Sequence, residues 1–304
     1  MSLAPLVGHT EVQKSLTTLA EEGRFPHAVL LHGPQGVGKR LLAETIGRYL
    51  LCGGNMMSGR IMVNENHVLH PQIEAGACPD YLLLEKAEGD ATIKVDAVRN
   101  LLEKLSLTSD GRRVVIVDAA DDLGVEAANA ILKTLEEPGV RIHFILVAHN
   151  LFRLLPTILS RCRKMRVGHL NEDETIQVLQ RQDDIDAITA AELAKQANGS
   201  PGEALKLGQE GLEIQQEIQS VLRGELQASA VADKRQQSKQ VGTVFSLLLQ
   251  ELASTLKKEP TFSIAETYEK VSALYQRSQT HNLTGNWVLE EALHLAQASR
   301  RLGS

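Results

Sequence analysis

The chain lacks long apolar runs, an excess of basic residues and a cysteine framework. No stretch approaches the roughly 20 apolar residues that a membrane-spanning helix needs. Lys and Arg number 32 against 38 Asp and Glu, a net charge of −6, so no global basic field draws this chain alone to nucleic acid. The three cysteines, Cys52, Cys78 and Cys162, are odd in number and scattered. That argues against disulfides and for a reducing, cytoplasmic setting. No C-x-x-C pair occurs, and MSLAPLVGHTEVQKS lacks the basic-then-apolar pattern of a signal peptide. What remains is an ordinary soluble balance over 304 residues, enough for one to three domains with a sizeable core.

The pattern that is present centres on residues 112–162. Two β-branched runs, at 114–117 and 142–147, read as strands buried on both faces. Between them GVEAANAILKTLEEP, rich in Ala, Leu and Glu and stopped by Pro138, reads as a helix. Strand, helix, strand predicts parallel pairing through a right-handed crossover. Upstream, a strand at 28–31 runs into Gly33-Pro34-Gln35-Gly36-Val37-Gly38-Lys39, and a helical pattern follows. This is the context of a phosphate loop. Gly33, Gly36 and Gly38 let backbone N–H groups curl round an anion, the helix N-terminus adds its dipole, and Lys39 adds a point charge. The next position normally offers Ser or Thr to Mg²⁺; here it is Arg40, which has no acceptor oxygen and repels a cation.

The strand beside such a loop ordinarily ends in a metal-holding acid, for which Asp118 qualifies. In many motors a glutamate follows and polarises water, but Ala119 can do neither job. Asp121 and Asp122 read as solvent-facing and poorly placed substitutes. Residues 52–80 read as an irregular surface insertion. It holds Cys52, His67, His70 and Cys78, permissible zinc ligands at irregular spacing, and no metal is expected there.

Local signals place Thr10 as the N-cap of a helix closed by Gly23, and Asp96 as a second cap. Asn171 with Glu174 forms a capping box for a helix reaching about Gln182, and Ser200-Pro201-Gly202 starts another. Lys234, Arg235 and Lys239 read as a solvated helix face. The fold class is α/β: a parallel-sheet P-loop domain over 1–168, followed by two all-helical units over 169–208 and 209–304.

HAVLLHGPQGVGK, VVIVDAADDLGVEAANAILKTLEEP and HNLFRLLPTILSRCR resemble the bacterial clamp-loader branch of the AAA+ ATPases. The resemblance is strong over the first 168 residues, moderate through the lid, and rests on helical content and length beyond it. It implies a P-loop domain, a lid and an oligomerising collar. It further implies that Arg161, in Ser160-Arg161-Cys162, reaches the γ-phosphate of a neighbouring subunit as an arginine finger, and that Asn150 holds a sensor position. By residues alone Arg161 could equally cap its own helix. The lid position where the family often carries a nucleotide-contacting arginine corresponds to Glu203. Cys162 reads as a small buried apolar residue.

Arg40, Ala119 and Glu203 together predict a subunit that does not hydrolyse ATP and needs no cofactor of its own, with ATP and Mg²⁺ held by its neighbours. The resemblance implies partners within the DNA polymerase III holoenzyme: tau/gamma ATPase subunits, a delta subunit, and the sliding clamp and primed DNA through the assembly. Two competitors come from the enzyme classes. One is an active AAA+ motor using Lys39 and Asp118 with an atypical base. The other is a small-molecule P-loop kinase, which the acidic lid and long helical C-terminus disfavour.

Overall fold

The computed structural model describes residues 4–106, 111–137, 139, 141–181, 185–238, 240–258, 260–280 and 286–301. Pro138, Gln182 and Lys239 lie outside them. The chain divides into two compact units, residues 1–205 and 206–304. Among the described residues, no helix is long and apolar enough to cross a membrane.

The first unit opens with α1 (Thr10–Glu21), β1 (Ala28–His32) and α2 (Lys39–Cys52). The segment after α2 is more regular than its composition predicts. It forms an antiparallel hairpin, β2 (Gly54–Met57) and β3 (Arg60–Val63), and a short helix, α3 (His70–Glu74). Burial of Ile61 and Ile73 gives this polar stretch its anchor. Then come β4 (Tyr81–Glu85), α4 (Val95–Ser106), β5 (Arg113–Asp118), α5 (Val125–Glu136), β6 (Ile142–Ala148), α6 (Pro156–Arg161) and β7 (Arg163–Arg166). The rest of the unit supplies α7 (Glu172–Leu179), α8 (Ala187–Gln196) and the start of α9 (Pro201–Leu222).

Five strands pair in the order β4-β5-β6-β1-β7, all parallel. Side chains of period two fill both faces. Leu30, Val115, Val117, Phe144 and Leu146 pack with α4, α5 and α6. Val29, Leu31, Val114, Ile116, Ile145 and Val147 pack with α1 and α2. β6 lies between β1 and β5, so Asp118 ends a strand one place removed from the phosphate-loop strand, not beside it. The β-branched runs predict strands but carry no strand order.

Two caps differ from expectation. Thr10 is the first helical residue of α1, and His9, at φ 55°, is the N-cap. The His9 ring makes a 2.7 Å hydrogen bond with the Val37 carbonyl, and this tertiary contact fixes the entry to the helix. Asp96 lies inside the first turn of α4, where it complements the dipole without capping. Asn171 and Glu174 do form the reciprocal capping box.

In the second unit, α10 (Ala228–Gln237), α11 (Val241–Lys258), α12 (Phe262–Thr280) and α13 (Asn286–Arg301) join the later turns of α9. Ile214, Ile218, Val244, Phe245, Leu248, Val271, Leu289 and Ala292 form its core. Phe245 stacks on Tyr275 with centroids 5.1 Å apart. Arg235 is not solvated: it is buried and bonded to Glu217 at 2.7 Å, while Lys234 pairs with the same acid.

Candidate functional site

The carboxyl ends of β1, β6, β5 and β4 bring the predicted site residues to one edge of the sheet. Residues 33–38 follow β1 and lead into α2, whose first residue is Lys39. Lys39 is 3% exposed, and its ammonium donates to the carbonyls of Gly33 at 2.8 Å and Pro34 at 2.5 Å. Burial lowers its pKa to about 8, while Asp121 and Asp118 pull the other way.

The loop is also held from outside. Gly202 N–H donates to the Gly36 carbonyl and the Ser200 hydroxyl to the Gln35 carbonyl, both at 2.8 Å. Gly36, at φ 77°, and Gly202 approach so closely that a Cβ on Gly202 would lie 2.8 Å from the Gly36 Cα. The first turn of α9 therefore seats directly on the phosphate loop. Glu203 joins it there through its backbone nitrogen, 3.0 Å from where a Gly36 Cβ would lie, with its side chain exposed.

Arg40 does more than remove a metal ligand. Its guanidinium bonds Glu44 one turn along α2 at 2.8 Å, pairs with Glu85, and lies 3.4 Å from an Asp118 oxygen. The β4–β5 register sets Glu85 directly opposite Asp118, so two carboxylates sit side by side at the strand ends. Arg40 is their shared countercharge. Burial acts against its charge, but the Glu44 and Glu85 hydrogen bonds outweigh that and hold its pKa above the ordinary value. Burial raises the Asp118 carboxyl above the usual range despite Arg40 and His149. These residues fit the Mg²⁺ of a nucleotide complex poorly, because a guanidinium follows Lys39 where a hydroxyl ligand would and its positive charge, already paired with the acids, repels a second cation. Glu44 was legible at i+4 from Arg40; Glu85 becomes visible only through strand register.

Asp121 corrects the sequence reading. It is 5% exposed, and its two carboxylate oxygens accept the backbone N–H groups of His149 and Asn150, each at 3.0 Å. A three-residue 3-10 turn, Ala120–Asp122, folds it inward. It thereby fixes the end of β6. Asp122 is partly exposed, 3.2 Å from the Lys86 ammonium. The Asn150 carboxamide accepts the Phe152 N–H at 2.9 Å and so caps its own turn. Ala119 is buried and offers no proton acceptor.

Arg161 lies apart from this cluster's hydrogen bonds, at the end of α6. It donates to the Thr157 carbonyl at 2.9 Å and the Ser160 hydroxyl at 3.3 Å, and pairs with Glu136 at 2.5 Å. Cys162 is buried, and burial pushes its thiol up to about 11, which leaves it inert at neutral pH. Cys52 and Cys78 are buried against Ile73, while a His67 ring nitrogen accepts the Leu69 N–H. Among the described residues, no group of three or more His, Cys, Asp or Glu side chains could hold a metal ion.

Residues 8–171 match the sequence family described as DNA polymerase III, delta subunit. The subunit delta′ of Pseudomonas aeruginosa DNA polymerase III is 34% identical over 223 residues, covering 71% of this chain and 67% of that protein. The Escherichia coli subunit delta′ is 37% identical over 204 residues, covering 64% of this chain and 58% of that protein. The subunit gamma of Buchnera aphidicola subsp. Schizaphis graminum is 29% identical over 213 residues, covering 68% and 57% respectively.

Proposed function

The chain belongs to the DNA polymerase III delta-prime family, and on that premise we propose that it is a non-hydrolysing subunit of a sliding-clamp loader. It assembles with tau/gamma-type ATPase subunits and a delta subunit, and the assembly places a clamp on primed DNA. Its own phosphate loop is structural. Arg161 is supplied in trans to the γ-phosphate held by an adjacent ATPase subunit, where a planar, permanently charged guanidinium stabilises the transferring phosphoryl group.

The observation that carries the non-hydrolysing half is the Arg40 guanidinium between Glu85 and Asp118. A cation that is part of the polypeptide occupies the charge balance that Mg²⁺ would need, and the residue after Asp118 is alanine. The finger half is supported by the motif and by partial exposure of Arg161, whose side chain is 32% accessible.

Two measurements test the two halves separately. The isolated chain is titrated with Mg-ATP by calorimetry and assayed for phosphate release; no Mg-dependent binding and no turnover are expected, and turnover abolished by Asp118→Ala would revive the active-motor reading. The complex with its ATPase subunits is assayed with Arg161→Ala. Assembly should be intact and clamp-stimulated ATPase lower, by up to the roughly 10³–10⁵-fold that an arginine finger contributes at the site it serves. An unchanged rate removes the finger.

A further inference from the structure

We propose that Glu136 is a positioning residue for Arg161, an internal anion that holds the guanidinium against its own helix until a phosphate in trans displaces it. The inference rests on the finger reading of Arg161 and adds to it a competitor within the same chain.

The contact joins two helix ends. Glu136 is the last residue of α5 and Arg161 the last of α6, and they meet at 2.5 Å. A cation at the end of α6 is favoured by the dipole, and the Thr157 carbonyl takes one of its N–H groups. An acid at the end of α5 is disfavoured by the same physics, so α5 itself gives no reason for Glu136. Its stabilising partner is Arg161 on the neighbouring helix.

The arrangement has the character of a latch. The Arg161 side chain is 32% exposed and Glu136 is 45% exposed, so water and salt reach the pair and it can open without unfolding either helix. Both groups are charged, so an incoming phosphate competes with Glu136 for the same guanidinium face. A phosphate prevails over a single carboxylate because it offers more acceptor oxygens and more charge for bidentate pairing. The pair therefore keeps Arg161 folded back before assembly and gives way on engagement.

The test uses the reconstituted complex with its ATPase subunits and compares Glu136→Gln, Arg161→Ala and the double variant across ATP concentrations. Gln keeps size and helix propensity while removing the charge. Exposed pairs of this type correspond to about 1.5- to 5-fold in an equilibrium constant. Glu136→Gln should lower the apparent KM for ATP by that factor with kcat unchanged. The gain should shrink as salt rises and vanish in the Arg161→Ala background.

A raised KM or a lowered kcat would mean that Glu136 aligns the finger instead of restraining it, and would overturn the latch. No change with Glu136→Gln, alongside a clear loss with Arg161→Ala, would overturn the latch and leave the finger standing. No loss with Arg161→Ala would remove both.

Discussion

Replacing Arg40 by Thr would test whether a polypeptide cation stands in for a metal. The change removes three contacts, to Glu44, Glu85 and Asp118, and leaves the last two facing each other across adjacent strands. Arg40 is 44% exposed at its side chain and Glu85 is 47%, so those charges are well screened and each contact contributes only a few tenths to about 1 kcal/mol. Asp118 is 15% exposed and loses its nearest countercharge, which costs about 1–2 kcal/mol more. The net cost is about 2–4 kcal/mol. For a unit of this size that corresponds to a melting temperature lower by about 4–16 °C. Millimolar Mg²⁺ should recover part of the loss in Arg40→Thr and none in the native chain, because only the variant has two adjacent carboxylates and a hydroxyl without a resident cation. Differential scanning calorimetry with and without Mg²⁺ reads both effects. Equal melting temperatures, or a Mg²⁺ response in the native chain as large as in the variant, would refute the surrogate-cation reasoning.

Two further outcomes follow from buried charges in the same region. Asp121→Ala removes a carboxylate that accepts two backbone N–H groups; with partial replacement by water it should cost about 2–4 kcal/mol in urea denaturation, and a loss under 0.5 kcal/mol would show that the clamp at the end of β6 is dispensable. Lys39 has its pKa lowered by burial to about 8, below its unfolded value near 10.4, so between those limits the unfolded chain binds more protons and native stability rises with pH. Lys39→Met should abolish that rise between about pH 8 and 10, and an identical slope in both proteins would locate the titration elsewhere.

Much of the fold was legible because its signals are local. Buried parallel strands need continuous β-branched runs, and 114–117 and 142–147 supply them. The glycine spacing before Lys39 and the Asn171–Glu174 box depend on residues a few positions apart, and both take the predicted form. The hairpin within 52–80 was not legible, since its short strands are mostly exposed and only Ile61 marks an inward position. Asp121 was misread for a related reason. An acid three residues beyond a strand usually faces water, and only the 3-10 turn that folds it inward makes it a backbone clamp.

By itself the sequence determined the chemical inventory: a phosphate loop followed by Arg40, an acid followed by Ala119, and an arginine in Ser160-Arg161-Cys162. Residue identity decides which donor, acceptor and ionisable atoms a group carries, and folding only shifts how readily they ionise. Only the tertiary structure decided which charges meet. Strand register placed Glu85 against Asp118, α2 brought Arg40 between them, and the ends of α5 and α6 brought Glu136 to Arg161. Those partners lie 33, 78 and 25 positions apart in the chain. Electrostatic pairing falls off over ångströms, so separations of that kind acquire chemical meaning only once the sheet and helices have set them side by side.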